Sequence, residues 1–322
     1  MTVQEAFERL KSDLLEWITN NLSNVVPSTR KVNGKALSSD INLTPSDIGA
    51  DALLDNAIDY VNERILTQNV NVYVSTSGSD TNGDGTESKP WRTISKAVKH
   101  APIARPSNDN FITYTVNIAG GSYTENIQIY EKKISFNLLG TVSFNASDLS
   151  IPVLSLRNGA RLSISTNTFN VDLNISGNSG ISLTFGSYLV MDSLNALRFS
   201  NITKQCIYCS QMSHVYFKNN GESTAIDQFI INQSTMENIV ITNYNSSAVI
   251  HTNYLVISES TVCNDYAFSS RFNSYLYLDS STESTIPSTV SKGIGASNFG
   301  IVDTRNIKNN ATQNSTTGGV IQ

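Results

Sequence analysis

The chain is poor in cysteine, histidine and charge, and each shortage removes a class of protein. Three cysteines in 322 residues, Cys206, Cys209 and Cys263, build no disulfide framework. Cys206 and Cys209 form a C-x-x-C with His214 close in sequence, but a metal site of that type needs a second pair, which is absent. Cys206 also falls within an apolar cluster, where a free thiol behaves as a small hydrophobe. These cysteines are expected in the core, and neither metal nor cofactor is expected. Charged residues make up 15% of the chain, with net charge −5 and a pI near 5.2, which speaks against nucleic acid or an acidic membrane as partner. No run of 18 apolar residues offers a membrane-spanning helix. The first 17 residues, MTVQEAFERLKSDLLEW, lack the apolar core of a secretion signal, so synthesis in a cytoplasm is expected.

Helical periodicity is missing as well, from the whole stretch 181–303. In its place a short pattern recurs: an apolar cluster, a polar break, then an apolar triplet. The instances pair 181–183 with 189–191, 206–208 with 215–217, 225–226 with 239–241, 248–250 with 255–257, 266–268 with 276–278, and 293–294 with 300–302. First clusters advance by 25, 19, 23, 18 and 27 residues. The clusters are β-branched or aromatic and separated by Ser, Asn, Thr and Gly, which is strand composition. Repetition at this period predicts a parallel β-solenoid, whose coils bury their apolar faces only by stacking. An antiparallel β-sandwich, with turn signals every 8–12 residues or so, is the rival. The two-cluster alignment favours the solenoid. Residues 113–180 show clearer period-2 alternation and open the stack.

Upstream, residues 3–21 read as a helix. Val3, Phe7, Leu10, Leu14 and Trp17, with Asn21, are spaced 4, 3, 4, 3, 4, a heptad seam that asks for partner helices. Asn33-Gly34 is a hairpin signal, and Thr44-Pro45-Ser46-Asp47 is a helix start. Leu54, Ile58, Val61 and Ile65 then form a second seam.

Two stretches carry a family likeness. Lys31-Val-Asn-Gly-Lys35 followed by Leu43-Thr-Pro-Ser-Asp-Ile-Gly-Ala50 resembles the linker module of bacteriophage tail fibres. Val72-Tyr-Val74, Gly78-Ser-Asp80, Asn82-Gly-Asp-Gly85, Pro90-Trp-Arg-Thr-Ile94 and Ala97-Val98 are similar to the entry of pectin-lyase-like right-handed β-helices. The resemblance implies a mainly β, trimeric tail-fibre or tailspike subunit. Its parts would be an N-terminal coiled-coil helix for virion attachment (1–26) and a linker with a second helix (27–69). An entry cap (70–110), a right-handed parallel β-helix (111–304) and a C-terminal tail (305–322) would follow. Trp91, Ile94 and Ala97 would plug the open end of the solenoid. Asp80, Asn82 and Asp84 read as a turn rather than a calcium loop, since no closing acidic residue follows.

The implied function is attachment of a virion to host surface carbohydrate, in a homotrimer joined to tail or baseplate proteins through its N-terminus. Such a protein would reside in the virion tail, with no nucleic acid or membrane as partner. A polysaccharide depolymerase of the same fold is the alternative, and a structural fibre part that carries another receptor-binding protein is a third reading. Cleavage would need two carboxylates flanking one bond. Aligning the triplets places Asp192, Lys218, Thr242, Ser258, Asp279 and Asp303 in one column, with Glu259 beside it. Asp279 and Asp303 would then stand one coil apart, near the spacing of retaining enzymes. Turn preference explains corner Asp residues equally well. For binding, tyrosines on the flanks, Tyr254 and Tyr275 foremost, would stack on sugar rings.

Overall fold

The structure is a computed structural model describing residues 2–22, 31–32, 35–36, 68–103, 112–217, 226–232, 235–236, 238–258, 261–263, 265–287, 290, 292–309, 312–316 and 318–322. The chain divides into two compact units, 1–62 and 63–322.

In the first unit, α1 spans Val3–Leu22. It begins with a capping box: the Glu5 amide donates to Thr2 Oγ1 at 3.3 Å and the Thr2 amide to Glu5 Oε2 at 2.7 Å. The seam residues Val3, Phe7, Leu10, Leu14 and Trp17 are exposed. Asn21 turns its amide back to the Trp17 carbonyl at 2.8 Å. Lys31–Val32 and Lys35–Ala36 pair antiparallel around Asn33-Gly34, in the register of a two-residue hairpin. Leu54, Ile58, Val61 and Ile65, and the 43–50 motif, lie outside the described residues.

The second unit is mainly β, and among the described residues every strand pairing in it is parallel. Apart from one short pair, Thr235–Met236 with Val262–Cys263, its strands fall into three ladders, so that each coil has three sides, as in a parallel β-helix. Ladder 1 stacks Val70–Val74, Tyr114–Ile118, Lys133–Leu138, Arg161–Ser165, Tyr188–Met191 and His214–Phe217. It continues through the opening parts of Ser247–Ile257, Tyr275–Ile286 and Ile301–Asn309 to Val320–Ile321. Ladder 2 stacks Gly121–Thr124, Val142–Asn145, Asp172–Ser176, Leu194–Ser200 and Ile226–Asn232, then the closing parts of those same three long strands. Ladder 3 stacks Ile127–Tyr130, Leu154–Arg157, Ile181–Leu183, Gln205–Ser210, Asn238–Asn243, Phe268–Arg271, Lys292–Ser297 and Thr312–Thr316.

Alternation sets the core. Lys133–Leu138 buries Ile134, Phe136 and Leu138, and Asp172–Ser176 buries Leu173 and Ile175. One continuous apolar cluster runs from Val72 to Val302. In mid-stack Phe229 meets Phe199 and Phe217 edge-on, each at 5.9 Å between ring centroids. Cys206, Cys209 and Cys263 are buried in it; burial pushes the Cys209 and Cys263 thiols up to about 12 and raises the Cys206 thiol well above its ordinary value. That is inert core chemistry.

Two sequence expectations change. The register of ladder 1 carries Lys133 to Arg161, Tyr188, His214, Ser247, Tyr275 and Ile301, steps of 28, 27, 26, 33, 28 and 26 residues. The coil is thus longer than the cluster alignment suggested, because a third side had been divided among the pairs. Residues 305–322 do not form a loose tail: Thr312–Thr316 and Val320–Ile321 extend ladders 3 and 1.

The corner from ladder 3 to ladder 1 is unusually regular. Asn158-Gly159, Phe185-Gly186, Gln211-Met212, Tyr244-Asn245, Phe272-Asn273 and Asn298-Phe299 all take positive φ, between 51° and 75°. In each coil but the last of these, the second residue's amide donates to the first residue's carbonyl one coil on. A buried serine follows. Ser187, Ser213 and Ser246 each donate their amide to the hydroxyl of the next serine, Ser213, Ser246 and Ser274, at 3.1–3.2 Å.

The stack opens on a helical cap. Val74 bridges Trp91, and α2 (Ile94–His100) buries Ile94, Ala97 and Val98 against the first strands. Gly85 has φ +82°, and a Cβ there would come within 2.8 Å of the Trp91 ring, so the glycine lets the indole lie flat on the loop. Asp80 accepts from the amides of Arg92 and Thr93 and from the Thr93 hydroxyl, and Asp84 accepts from Thr86. Both carboxylates are therefore engaged as turn and cap acceptors.

Candidate functional site

The outward rows of ladder 1 carry a run of aromatic and ionisable side chains. Parallel register fixes the rows, and strand alternation turns every second residue outward. One row runs Arg161, Tyr188, His214, Ser247, Tyr275, Ile301. The next runs Ser163, Val190, Tyr216, Val249, Tyr277, Asp303, and beyond it His251, Asp279 and Arg305 stand in line. Between these rows, Leu189, Val215, Ala248, Leu276 and Val302 point into the core.

The side chains interlock. His251 Nδ1 lies 3.4 Å from Asp279 Oδ2, an ion-pair distance without hydrogen-bond alignment. The His251 ring sits edge-on between Tyr216 at 6.3 Å and Tyr277 at 5.4 Å. Arg305 is placed over Tyr277, 5.4 Å from the ring centroid. Tyr275 and Tyr277 lie nearly parallel at 6.4 Å, and the Tyr275 hydroxyl donates to Asp303 Oδ2 at 3.4 Å. Burial raises both phenols above their ordinary range, with the neighbouring charges of Asp303 at Tyr275 and Asp279 at Tyr277 adding to it. His214 Nδ1 contacts Ser247 Oγ at 2.8 Å.

The register corrects the single acidic column. Asp303 pairs with Tyr277 and Asp279 with Arg305, so the two carboxylates are on neighbouring strands but two residues out of step. Strand spacing and rise put their Cα atoms about 8 Å apart on the diagonal. The argument for a retaining separation, which rested on direct opposition, therefore falls. Asp192 continues the ladder 1 side, whereas Thr242 is buried in ladder 3 and Ser258 follows ladder 2. Lys218 and Glu259 lie outside the described residues. Tyr254 pairs with Gln228 on ladder 2, exposed but on a different side from Tyr275.

His251 had no partner fixed by the sequence, and Arg305 went unnoticed there, because their neighbours are set by register, not spacing. The signal was present in the corner serines: 187, 213, 246 and 274 each precede a ladder 1 strand by one residue and align those rows directly.

Ladder 1 is a side of the solenoid rather than a cavity. A cavity of about 280 Å³ lies elsewhere, beside α2, lined by Ser95, Val98, Gln128, Tyr130 and Lys132 among others. Among the described residues no group of three His, Cys, Asp or Glu side chains is arranged to hold a metal ion. No described helix is long and apolar enough to cross a membrane. Comparisons with protein-family models, with curated proteins and with solved structures find no match to this chain.

Proposed function

We propose that the chain is a subunit of a bacteriophage tail fibre or tailspike that attaches the virion to a host surface polysaccharide. In this reading the α1 seam and the second seam at 54–65 hold a trimeric coiled coil near the virion. The stacked ladders form a right-handed β-helix whose ladder 1 side meets the polymer. One observation carries it: Tyr188, Tyr216, Tyr275 and Tyr277 share one side with His214, His251, Asp279, Asp303 and Arg305. Tyrosine rings offer apolar faces to sugar C–H groups, while carboxylate, imidazole and guanidinium groups bond hydroxyls. The rows repeat at the coil spacing, about 4.8 Å, over several coils, a layout suited to a chain of sugars more than to a single small molecule.

The test is retention of capsular polysaccharide and lipopolysaccharide from a bacterial panel on the purified full chain. Retention of one polymer, lost in Tyr275→Ala/Tyr277→Ala, is expected. Retention unchanged in that variant would remove ladder 1 from the function.

A depolymerase is the second reading, favoured by the His251–Asp279 contact, since an imidazole beside a carboxylate is a usable proton-transfer pair. New reducing ends or unsaturated ends in the retained polymer would establish it.

A further inference from the structure

Cations gather where the helical cap meets the first coils. The segments 94–100, 126–133 and 154–161 hold Lys96, Lys99, Lys132, Lys133, Arg157 and Arg161 against one carboxylate, Glu131, in a chain of net charge −5. Register joins the strands that carry them: Tyr130 pairs with Arg157, and Lys133 with Arg161. Lys99 and Lys132 line the cavity of about 280 Å³ beside α2, together with Ser95, Val98, Gln128 and Tyr130. One coil on, the Arg157 guanidinium stands 6.0 Å from the centroid of the Tyr130 ring.

Farther along the stack, Arg198 and Arg271 each meet a carboxylate, Asp172 and Asp265. At the cap, Lys99, Lys132, Arg157 and Arg161 make no ion pair among the described residues. Lys132 shows the imbalance best. Its ammonium is half-buried and donates to the Val98 and Lys99 carbonyls, which leaves its third N–H without a partner among the described residues. Burial pulls its pKa down, and no carboxylate offsets that. A half-buried cation on a cavity, with further unpaired cations beside it, is short of an anion.

We propose that this cavity takes the phosphate group of a sugar phosphate, with the sugar ring against Tyr130. Cations come to it from a helix and from two successive coils, which suits a tetrahedral oxyanion better than a planar carboxylate. The Tyr130 hydroxyl donates to Gln128 Oε1 at 2.6 Å, which fixes the ring. Tyr130 and Val98 supply an apolar face, and Ser95 and Gln128 supply groups that bond sugar hydroxyls. The net charge of the whole chain disfavours a nucleic acid as the source of the phosphate. Under the function proposed above, on which the source of the ligand rests, it is a phosphate-bearing unit of the host surface polymer. Lys133 and Arg161 carry the positive charge onto the first outward row of ladder 1, where Tyr188 follows Arg161.

The test is calorimetric titration of the full chain with glucose 6-phosphate, glucose, glucuronate and inorganic phosphate at low salt. Glucose 6-phosphate is expected to bind, and the other three to bind about tenfold more weakly or not at all. Lys99→Gln/Arg157→Gln removes two side chains that make no hydrogen bond or ion pair to the described residues. Its melting temperature without ligand should match wild type, while its affinity for glucose 6-phosphate falls about tenfold. Lys204→Gln, an exposed cation on a later coil, should change neither. No binding of glucose 6-phosphate, or equal binding of glucuronate or of inorganic phosphate, overturns the assignment. An equal loss in Lys204→Gln reduces it to general charge attraction and overturns it too. Polymer retained by a chain that does not bind glucose 6-phosphate overturns this inference alone. Glucose 6-phosphate bound by a chain that retains no polymer supports the site and overturns the attachment reading.

Discussion

Glu125 and Lys132 hold opposite ends of the same short helix. Glu125 takes the amides of Ile94 and Ser95, one on each carboxylate oxygen, both at 2.8 Å. Lys132 donates to the carbonyls of Val98 and Lys99 at 2.8 and 3.0 Å. The anion sits at the N-terminus of α2 and the cation at its C-terminus, which is the favourable order for the helix dipole. Both come from the chain around Ile127–Tyr130, so the first coil clamps its own cap.

Glu125→Ala leaves two helix-end amides without this acceptor and should cost about 2 kcal/mol. Glu125→Gln keeps one good oxygen and should cost less. The expected signs are a lower melting temperature and earlier tryptic cleavage at Lys96 and Lys99. Unchanged melting and cleavage in Glu125→Ala would mean that the cap is held by its apolar residues alone.

Acid should loosen the same cap through Asp80. Burial pushes this carboxyl up, but the Thr93 hydroxyl, the Thr93 and Arg92 amides and the Lys96 charge together outweigh it and hold the pKa below its ordinary 3.8. A depressed carboxylate stabilises the fold fully above its unfolded pKa, and loses that contribution as pH falls through the folded value. The melting difference between wild type and Asp80→Asn should therefore be constant from pH 7 down to about 5 and shrink below about 4. A difference that does not change with pH would show that shape, not charge, is what Asp80 contributes.

Ser213→Ala tests the corner ladder. Ser187 and Ser213 are fully buried, and the Ser187 amide has its acceptor in Ser213 Oγ at 3.1 Å. Removing that oxygen strands a buried donor, at a cost of about 1–3 kcal/mol. Equilibrium unfolding of Ser213→Ala, beside Ser247→Ala as a control on the outward row, reads this directly. Equal effects would remove the ladder as a source of stability.

The stacked β architecture was legible because apolar triplets and polar breaks report strands whatever their side. The number of sides was not. Corner lengths differ, and Ser247–Ile257 runs through the ladder 1–ladder 2 corner without a break, so its two apolar clusters resembled one repeat unit. Leu194–Ser200 was missed for the reverse reason: only Asp192 and Ser193 separate it from Met191, so it merged into the preceding strand. Tyr275 was legible as an exposed ring, but its partner Asp303 was assigned to oppose Asp279. Parallel register shifts with corner length, and triplet alignment alone does not see a shift of two residues. His251 became part of the site only once register set it beside Asp279.

Binding and cleavage on ladder 1 separate at different side chains. If the side only holds sugar, Tyr277→Ala should weaken polymer retention about tenfold, since it removes both an aromatic face and the Arg305 platform. Asp279→Asn, which keeps the shape, should then matter little. If the side cleaves, His251 and Asp279 must act together, because a proton-transfer pair fails when either member is replaced. Asp279→Asn and His251→Gln should each stop the release of new chain ends while the polymer stays bound. Following retention and chain length together, with all three variants, makes the readings exclusive. Retention lost only in Tyr277→Ala, without shortening in wild type, describes an adhesin. Shortening in wild type that survives both Asp279→Asn and His251→Gln places the chemistry away from this pair.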